Sequence, residues 1–226
     1  MTAHHILAWS PSAIVFDCDG TIMDTERHWQ EARNVTFRSF GLKPPAGFAD
    51  RAKGVHYVEC GALMAEETGK PDLVEDLTDA LLRNFTALVD EDPVTMPGAA
   101  TLVRLAARHR PLAVASNCPR EMVESCLDRA GLLGCFAHVV VAGENVPPKP
   151  EPDVYQIAAR LCGVPPREAL AVEDSLTGME SARRAGLRVL GTGSRPAGTE
   201  VDQADLWVES LADQELMAWA RDRIGL

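Results

Sequence analysis

No C-x-x-C pair occurs among the six cysteines (Cys18, Cys60, Cys118, Cys126, Cys135 and Cys162), and none of them falls at zinc-ligand spacing with the histidines. The chain also lacks an N-terminal stretch combining a basic start, an apolar centre and a cleavage site. No apolar run nears the roughly 20 residues a membrane-crossing helix needs. These absences predict a reduced, cytoplasmic protein with no membrane segment. Basic charge is scarce as well: 22 lysines and arginines face 33 acidic residues, a formal net charge of −11. That balance argues against nonspecific binding to nucleic acid or to an anionic membrane, while leaving room for a local positive pocket that takes an anionic substrate. There is no internal repeat and no low-complexity tract.

What is present is globular material. The 226 residues, 46% of them hydrophobic, suffice for one domain with a large insertion or for two small domains. The most informative stretch is Val15-Phe16-Asp17-Cys18-Asp19-Gly20-Thr21. Ile14-Val15-Phe16 reads as the end of a buried strand, and Gly20 lets the chain turn sharply after it. Beyond the strand, Asp17 and Asp19 can share one face and point into one crevice. Two such carboxylates repel each other, and a divalent ion with a preference for oxygen, such as magnesium, relieves the conflict. A polar turn with an aspartate cap is the alternative reading of these residues alone.

From about Pro97 onward, strand-like and helix-like segments alternate, which predicts a parallel sheet covered by helices. The predicted strands are 112–115, 139–141, 169–172 and 187–190. Between them lie a helix near 121–130, a helix burying Val154, Ile157, Ala158 and Leu161 before Gly163, and a helix over 177–185 before Gly186. Residues 25–92 differ, being helical without an evident strand. Helices are expected over 26–40 and 58–68, and a third carries the stripe Val74, Leu77, Leu81, Phe85 and Leu88 with Asp72 as N-cap. The expected organisation is an α/β core of residues 1–24 and 93–226, with a Rossmann-like parallel sheet, and a helical cap of residues 25–92 inserted into it. Glu91-Asp92-Pro93 and Met96-Pro97-Gly98 would form the return linker, and the outgoing one lies near Met23-Asp24-Thr25.

In an open α/β sheet, ligands bind beyond the carboxyl ends of the strands. The residues in those places are Asp17 and Asp19, then Ser116 and Asn117, then Glu173 and Asp174, with Lys149 in a loop stiffened by Pro147, Pro148 and Pro150. Each has a bland alternative: Ser116-Asn117 as a turn cap, Glu173-Asp174 as a helix-start pair, Lys149 as a solvated surface residue. Their order along one chain, following Asp-x-Asp-Gly-Thr, makes the joint bland reading improbable.

On these motifs nearly the whole chain resembles the haloacid dehalogenase-like hydrolases with a helical cap, the branch holding sugar phosphatases and β-phosphoglucomutases. The resemblance implies that Asp17 attacks phosphorus to form an aspartyl phosphate, while Asp19 protonates the leaving alcohol and then deprotonates the hydrolytic water. It implies magnesium held by the Asp17 carboxylate, the Asp19 backbone carbonyl and Asp174, with Glu173 assisting. Thr21, Ser116, Asn117 and Lys149 would hold phosphate oxygens. The implied activity is a magnesium-dependent phosphatase acting on a small phosphomonoester such as a sugar phosphate, in a chain expected to be monomeric.

Two alternatives stand beside it: a β-phosphoglucomutase-like isomerase, and a non-catalytic protein that binds a phosphorylated ligand. Mutases of that branch carry a histidine five residues beyond the motif's trailing aspartate and an arginine three beyond a cap glycine. Counted from Asp24 and Gly54, Trp29 and Tyr57 stand there instead. The expected substrate contacts in the cap are Trp29, Lys53 and His56. A solvated cap surface, or for Trp29 a core position, is the competing reading.

Overall fold

The computed structural model describes residues 6–53, 55–92, 94–143, 145–194 and 203–224; Gly54 and Pro93, which the sequence pattern uses as a counting point and a linker position, lie outside them. The chain divides into two compact units, Thr25–Pro93 and the remainder formed by Met1–Asp24 with Val94–Leu226.

The Thr25–Pro93 unit contains α1 (Glu26–Ser39), α2 (Phe48–Ala52), α3 (Tyr57–Glu67) and α4 (Val74–Glu91), and no strand among its described residues. Its core forms where the apolar stripes of α1 and α4 meet: the rings of Trp29 and Phe85 stack at 3.6 Å with an interplanar angle of 12°. On α3, Gly61 faces Thr78 of α4 so closely that a β-carbon there would collide with the threonine side chain and backbone. The two helices meet at that glycine because it has no side chain. Asp72 needs correcting as an N-cap: it sits inside a one-turn 3₁₀ helix, Pro71–Leu73, and α4 begins after Leu73 with no side-chain cap. Pro71 suits the first turn of that 3₁₀ segment because its missing N–H costs nothing there. The first turn of α4 carries Glu75 and Asp76, charges that complement the helix dipole.

The larger unit contains β1 (Ala13–Phe16), α5 (Ala99–Ala106), β2 (Leu112–Ser116), α6 (Arg120–Arg129), β3 (His138–Val141), α7 (Asp153–Leu161), β4 (Ala169–Glu173), α8 (Leu176–Ala185), β5 (Arg188–Thr192), β6 (Leu206–Val208) and α9 (Gln214–Trp219). The strands pair in parallel in the order β3-β2-β1-β4-β5-β6. This is the Rossmann-like α/β architecture that the alternating pattern predicts. Every residue of β1, β2 and β4 is buried. Central parallel strands with both faces covered read as unbroken apolar runs for that reason.

The helix α7 departs from its expected face. Val154, Tyr155, Ala158 and Ala159 are buried, while Leu161 is half exposed. The burying stripe is therefore turned by a position toward Tyr155, whose side chain joins the apolar cluster between α7 and the sheet.

Candidate active site

Because β1 lies in the middle and its two neighbours come from later in the chain, the strand order reverses there, and a crevice opens beyond the carboxyl ends of β1, β2 and β4. Asp17 follows β1 directly, Ser116 is the last residue of β2, and Glu173 is the last residue of β4. The chain after β1 folds back as a tight turn in which the Ile22 and Met23 amides donate to the Cys18 carbonyl and the Gly20 amide donates to the Met23 carbonyl. Gly20 is needed twice. Its φ of 82° is a left-handed conformation, and a β-carbon there would sit 2.5 Å from Asp174 Oδ2.

The structure brings Asp17, Lys149 and Glu173 into one buried chain of charges. Lys149 Nζ donates to Asp17 Oδ1 and to Glu173 Oε1, each at 2.6 Å, and its side chain is only 3% exposed. Burial alone would lower the lysine's pKa, but the two carboxylates outweigh it and hold the ammonium above its ordinary value. Asp17 is pushed the other way from a normal carboxyl. Burial first, then the Glu173 charge, raise it well above the usual range, against the pull of Lys149.

The Lys149 loop is braced on several sides. Asn117 Oδ1 accepts from the Lys149 backbone N–H at 2.9 Å, and Asn117 Nδ2 donates to the Lys149 carbonyl at 3.4 Å. Ser181 and Arg184 of α8 donate to the Glu151 and Pro150 carbonyls, and Arg184 also pairs with the Glu151 carboxylate at 2.8 Å. The carboxamide of Asn117, expected on a phosphate oxygen, is thus spent on the lysine's backbone. Ser116 Oγ, fully buried, donates to Asp19 Oδ2 at 3.3 Å and accepts from the Cys118 amide at 3.0 Å. Thr21 is also buried, and its hydroxyl donates to Asp174 Oδ1 at 3.4 Å.

Oxygens of Asp17, Glu173 and Asp174 lie within 4.8 Å of one another. Asp17 Oδ2 is buried and has no hydrogen-bond partner. A bare carboxylate oxygen among further carboxylates, with one ammonium to offset them, fits an oxygen-seeking dication. Glu173 is less suited than its neighbours to bind one, because both its oxygens are occupied. Oε1 accepts from Lys149 and from Tyr155 Oη at 2.7 Å, while Oε2 accepts from the Asp174 amide, the Ser175 amide and Ser175 Oγ. Glu173, expected as a ligand, thus stands within the carboxylate group and also anchors Lys149.

Tyr155, Ser175 and Gly178 escape the sequence pattern. Gly178 stands where any β-carbon would collide with the Glu173 carboxylate, so its bare backbone makes the space in which that group sits. Only a glycine early in a helix hints at this. Two of the three expected substrate contacts of the helical unit also make local contacts within it. The Trp29 ring face stacks on Phe85, and His56 Nδ1 caps α3 by accepting from the Val58 amide at 3.4 Å. Lys53 remains on the surface.

Comparisons with known proteins agree with this architecture. The family model for haloacid dehalogenase-like hydrolases matches residues 11–186. The chain is 34% identical over 221 residues to protein CbbY of Cereibacter sphaeroides, covering 89% of this chain and 93% of that protein. It is 28% identical over 179 residues to the 6-phosphogluconate phosphatase of Escherichia coli, covering 78% and 80%. The crystal structure of a CbbY variant from Rhodobacter sphaeroides in complex with xylulose-1,5-bisphosphate superposes with a TM-score of 0.77 at 29% identity, covering 90% of this chain and 96% of that one. A site at the ends of β1, β2 and β4, matched by the family model across most of the chain, places this protein among the haloacid dehalogenase-like hydrolases.

Proposed function

We propose that the protein is a magnesium-dependent phosphatase that hydrolyses a small phosphorylated sugar through an aspartyl phosphate on Asp17. The observation that carries this reading is the state of Asp17 itself. One oxygen is pinned by Lys149 at 2.6 Å and the other is buried and bare, ready for a group that brings positive charge or electrophilic phosphorus.

Asp17 attacks phosphorus and displaces the alcohol, to which Asp19 delivers a proton; Asp19 then takes a proton from the water that attacks the phosphoenzyme. The Ser116 hydroxyl, donating to Asp19 Oδ2 at 3.3 Å, orients that carboxyl. Lys149 compensates the negative charge that builds on the equatorial phosphoryl oxygens, and its braced loop means no reorganisation is needed as the charge develops. Asp17, Asp174 and the Asp19 carbonyl would hold magnesium, with Glu173 positioned behind Lys149. When bound, the ion neutralises carboxylate and phosphoryl charge that would otherwise repel.

A sugar phosphate is favoured as substrate because two relatives bear on the same chemistry: one is a 6-phosphogluconate phosphatase, another is solved with a sugar bisphosphate. Hydrolysis is favoured over isomerisation because Trp29, in the place of the mutase histidine, is packed on Phe85, and Tyr57 replaces the mutase arginine. The test is phosphate release from a panel of phosphomonoesters that includes 6-phosphogluconate and β-glucose 1-phosphate, with magnesium or with chelator, for the native chain and Asp17→Asn. Magnesium-dependent release that disappears in the variant supports the reading. No release from any ester, or conversion of β-glucose 1-phosphate to the 6-phosphate, overturns it.

A further inference from the structure

Glu173 Oε1 is shared by two donors that approach from different elements: Lys149 Nζ at 2.6 Å from its loop and Tyr155 Oη at 2.7 Å from α7. Tyr155 is fully buried, and Lys149 Nζ also lies 5.0 Å from the centroid of its ring. A single side chain therefore meets the lysine and its anchor at once, the ring face beside the ammonium and the hydroxyl on the carboxylate. Without the hydroxyl, Glu173 Oε1 would accept only from Lys149, while Oε2 stays held by the Asp174 and Ser175 amides and Ser175 Oγ, so that Oε1 would draw the ammonium more strongly away from Asp17.

We propose that Tyr155 is a positioning residue for phosphoryl transfer: by holding Glu173 and flanking Lys149, it keeps the ammonium on the Asp17 side, where charge develops on the transferred group. This role rests on the phosphatase reading above. It concerns the fraction of time Lys149 spends in the productive place, so it acts on the transition state more than on substrate binding.

Tyr155→Phe tests it, since the ring and its volume remain while one hydrogen bond to a charged group is lost. The expected result is a fall in kcat of about tenfold with KM changed less than about twofold. Inhibition by orthovanadate, whose five-coordinate adduct mimics the transferring phosphoryl group, should weaken by the same factor. Magnesium affinity by calorimetry should stay within about twofold, because Tyr155 touches neither Asp17 nor Asp174. In a Lys149→Met background the Tyr155→Phe change should add nothing to the loss in kcat, as expected of a residue acting through the lysine.

Unchanged kcat and vanadate inhibition in Tyr155→Phe overturn the proposal. So does a loss that is fully additive to Lys149→Met, or one that appears in KM or magnesium affinity instead. Should Lys149→Met not fold, the joint change in kcat and vanadate inhibition in Tyr155→Phe decides alone. If the native chain releases no phosphate from any ester, the phosphatase reading falls and this role falls with it. If the native chain is active and Tyr155→Phe is equally so, only this role falls.

Discussion

Replacing Gly178 by alanine adds one methyl group where the structure has no room for it. The new β-carbon would overlap Glu173 Oε1, Cδ and Oε2. Glu173 cannot swing aside cheaply, because its two oxygens accept from Lys149, Tyr155, the Asp174 and Ser175 amides and Ser175 Oγ. Inserting a methyl group into a packed site costs about 1–3 kcal/mol. Displacing a buried carboxylate from even one of its donors adds about 1.5–3 kcal/mol. Alanine's better helix propensity returns about 1 kcal/mol at most. The net expectation is a destabilisation of about 1.5–5 kcal/mol, or a fall in thermal midpoint of about 3–20 °C for a chain of this size. Thermal unfolding followed by circular dichroism measures it, with Gly134→Ala as the control, since a β-carbon at Gly134 meets nothing within 4 Å. Phosphate release should fall as well, because the displaced carboxylate takes Lys149 with it. A Gly178→Ala protein that melts within about 2 °C of the parent would refute the packing argument.

Lys149→Met leaves Asp17 and Glu173 buried without their common cation, and breaking such a pair costs about 3–5 kcal/mol. Chemical denaturation should report that loss, and phosphate release should fall by about 10²–10³-fold; a stable variant of near-normal activity would contradict the placement of Lys149. The pH dependence of the metal-free protein follows from Asp17, whose folded pKa is raised by burial first and then by Glu173. A carboxyl raised in the folded state favours folding in full below its unfolded value of about 3.9, and that contribution is lost as pH rises through the folded value. Thermal midpoints in chelator should therefore decline as pH rises out of the acid range. Added magnesium should recover the loss at neutral pH and do little in acid, where protons compete for the same oxygens. Equal stabilisation by magnesium at both ends of the range would show that the ion does not bind at Asp17.

The parallel sheet was legible because its central strands are buried on both faces. Ala13–Phe16, Leu112–Ser116 and Ala169–Glu173 are continuous apolar runs that end in a polar residue or directly before one, so sequence marks both the strand and the place where the site begins. Short peripheral elements left no such trace. Leu206–Val208 pairs only at the sheet's edge, and Phe48–Ala52 is barely a turn and a half of helix.

Within the site, sequence order named the residue types but not their partners. Asn117 reads as a polar group at a strand end, yet which atoms its carboxamide meets depends on a loop 32 residues away. Tyr155 was hidden by a periodicity that fits two neighbouring faces of one helix, with Leu161 taken as core where the structure buries Tyr155 and Ala159. Spacing cannot decide between stripes one position apart; the sheet beneath the helix does. Glu173 reads equally as metal ligand or as helix-start charge, and its donors Lys149 and Tyr155 come from elements that spacing alone does not bring to it.

The central claim is that Asp17 carries the phosphoryl group during turnover. Acid quenching of the enzyme during steady-state hydrolysis, followed by peptide mass spectrometry, examines it directly. The expected result is a peptide containing Asp17 heavier by one phosphoryl group, present with magnesium and substrate and missing in Asp17→Asn. Rapid hydrolysis with no phosphorylated peptide from early to late quench times, or the added mass on a peptide that lacks Asp17, would contradict it.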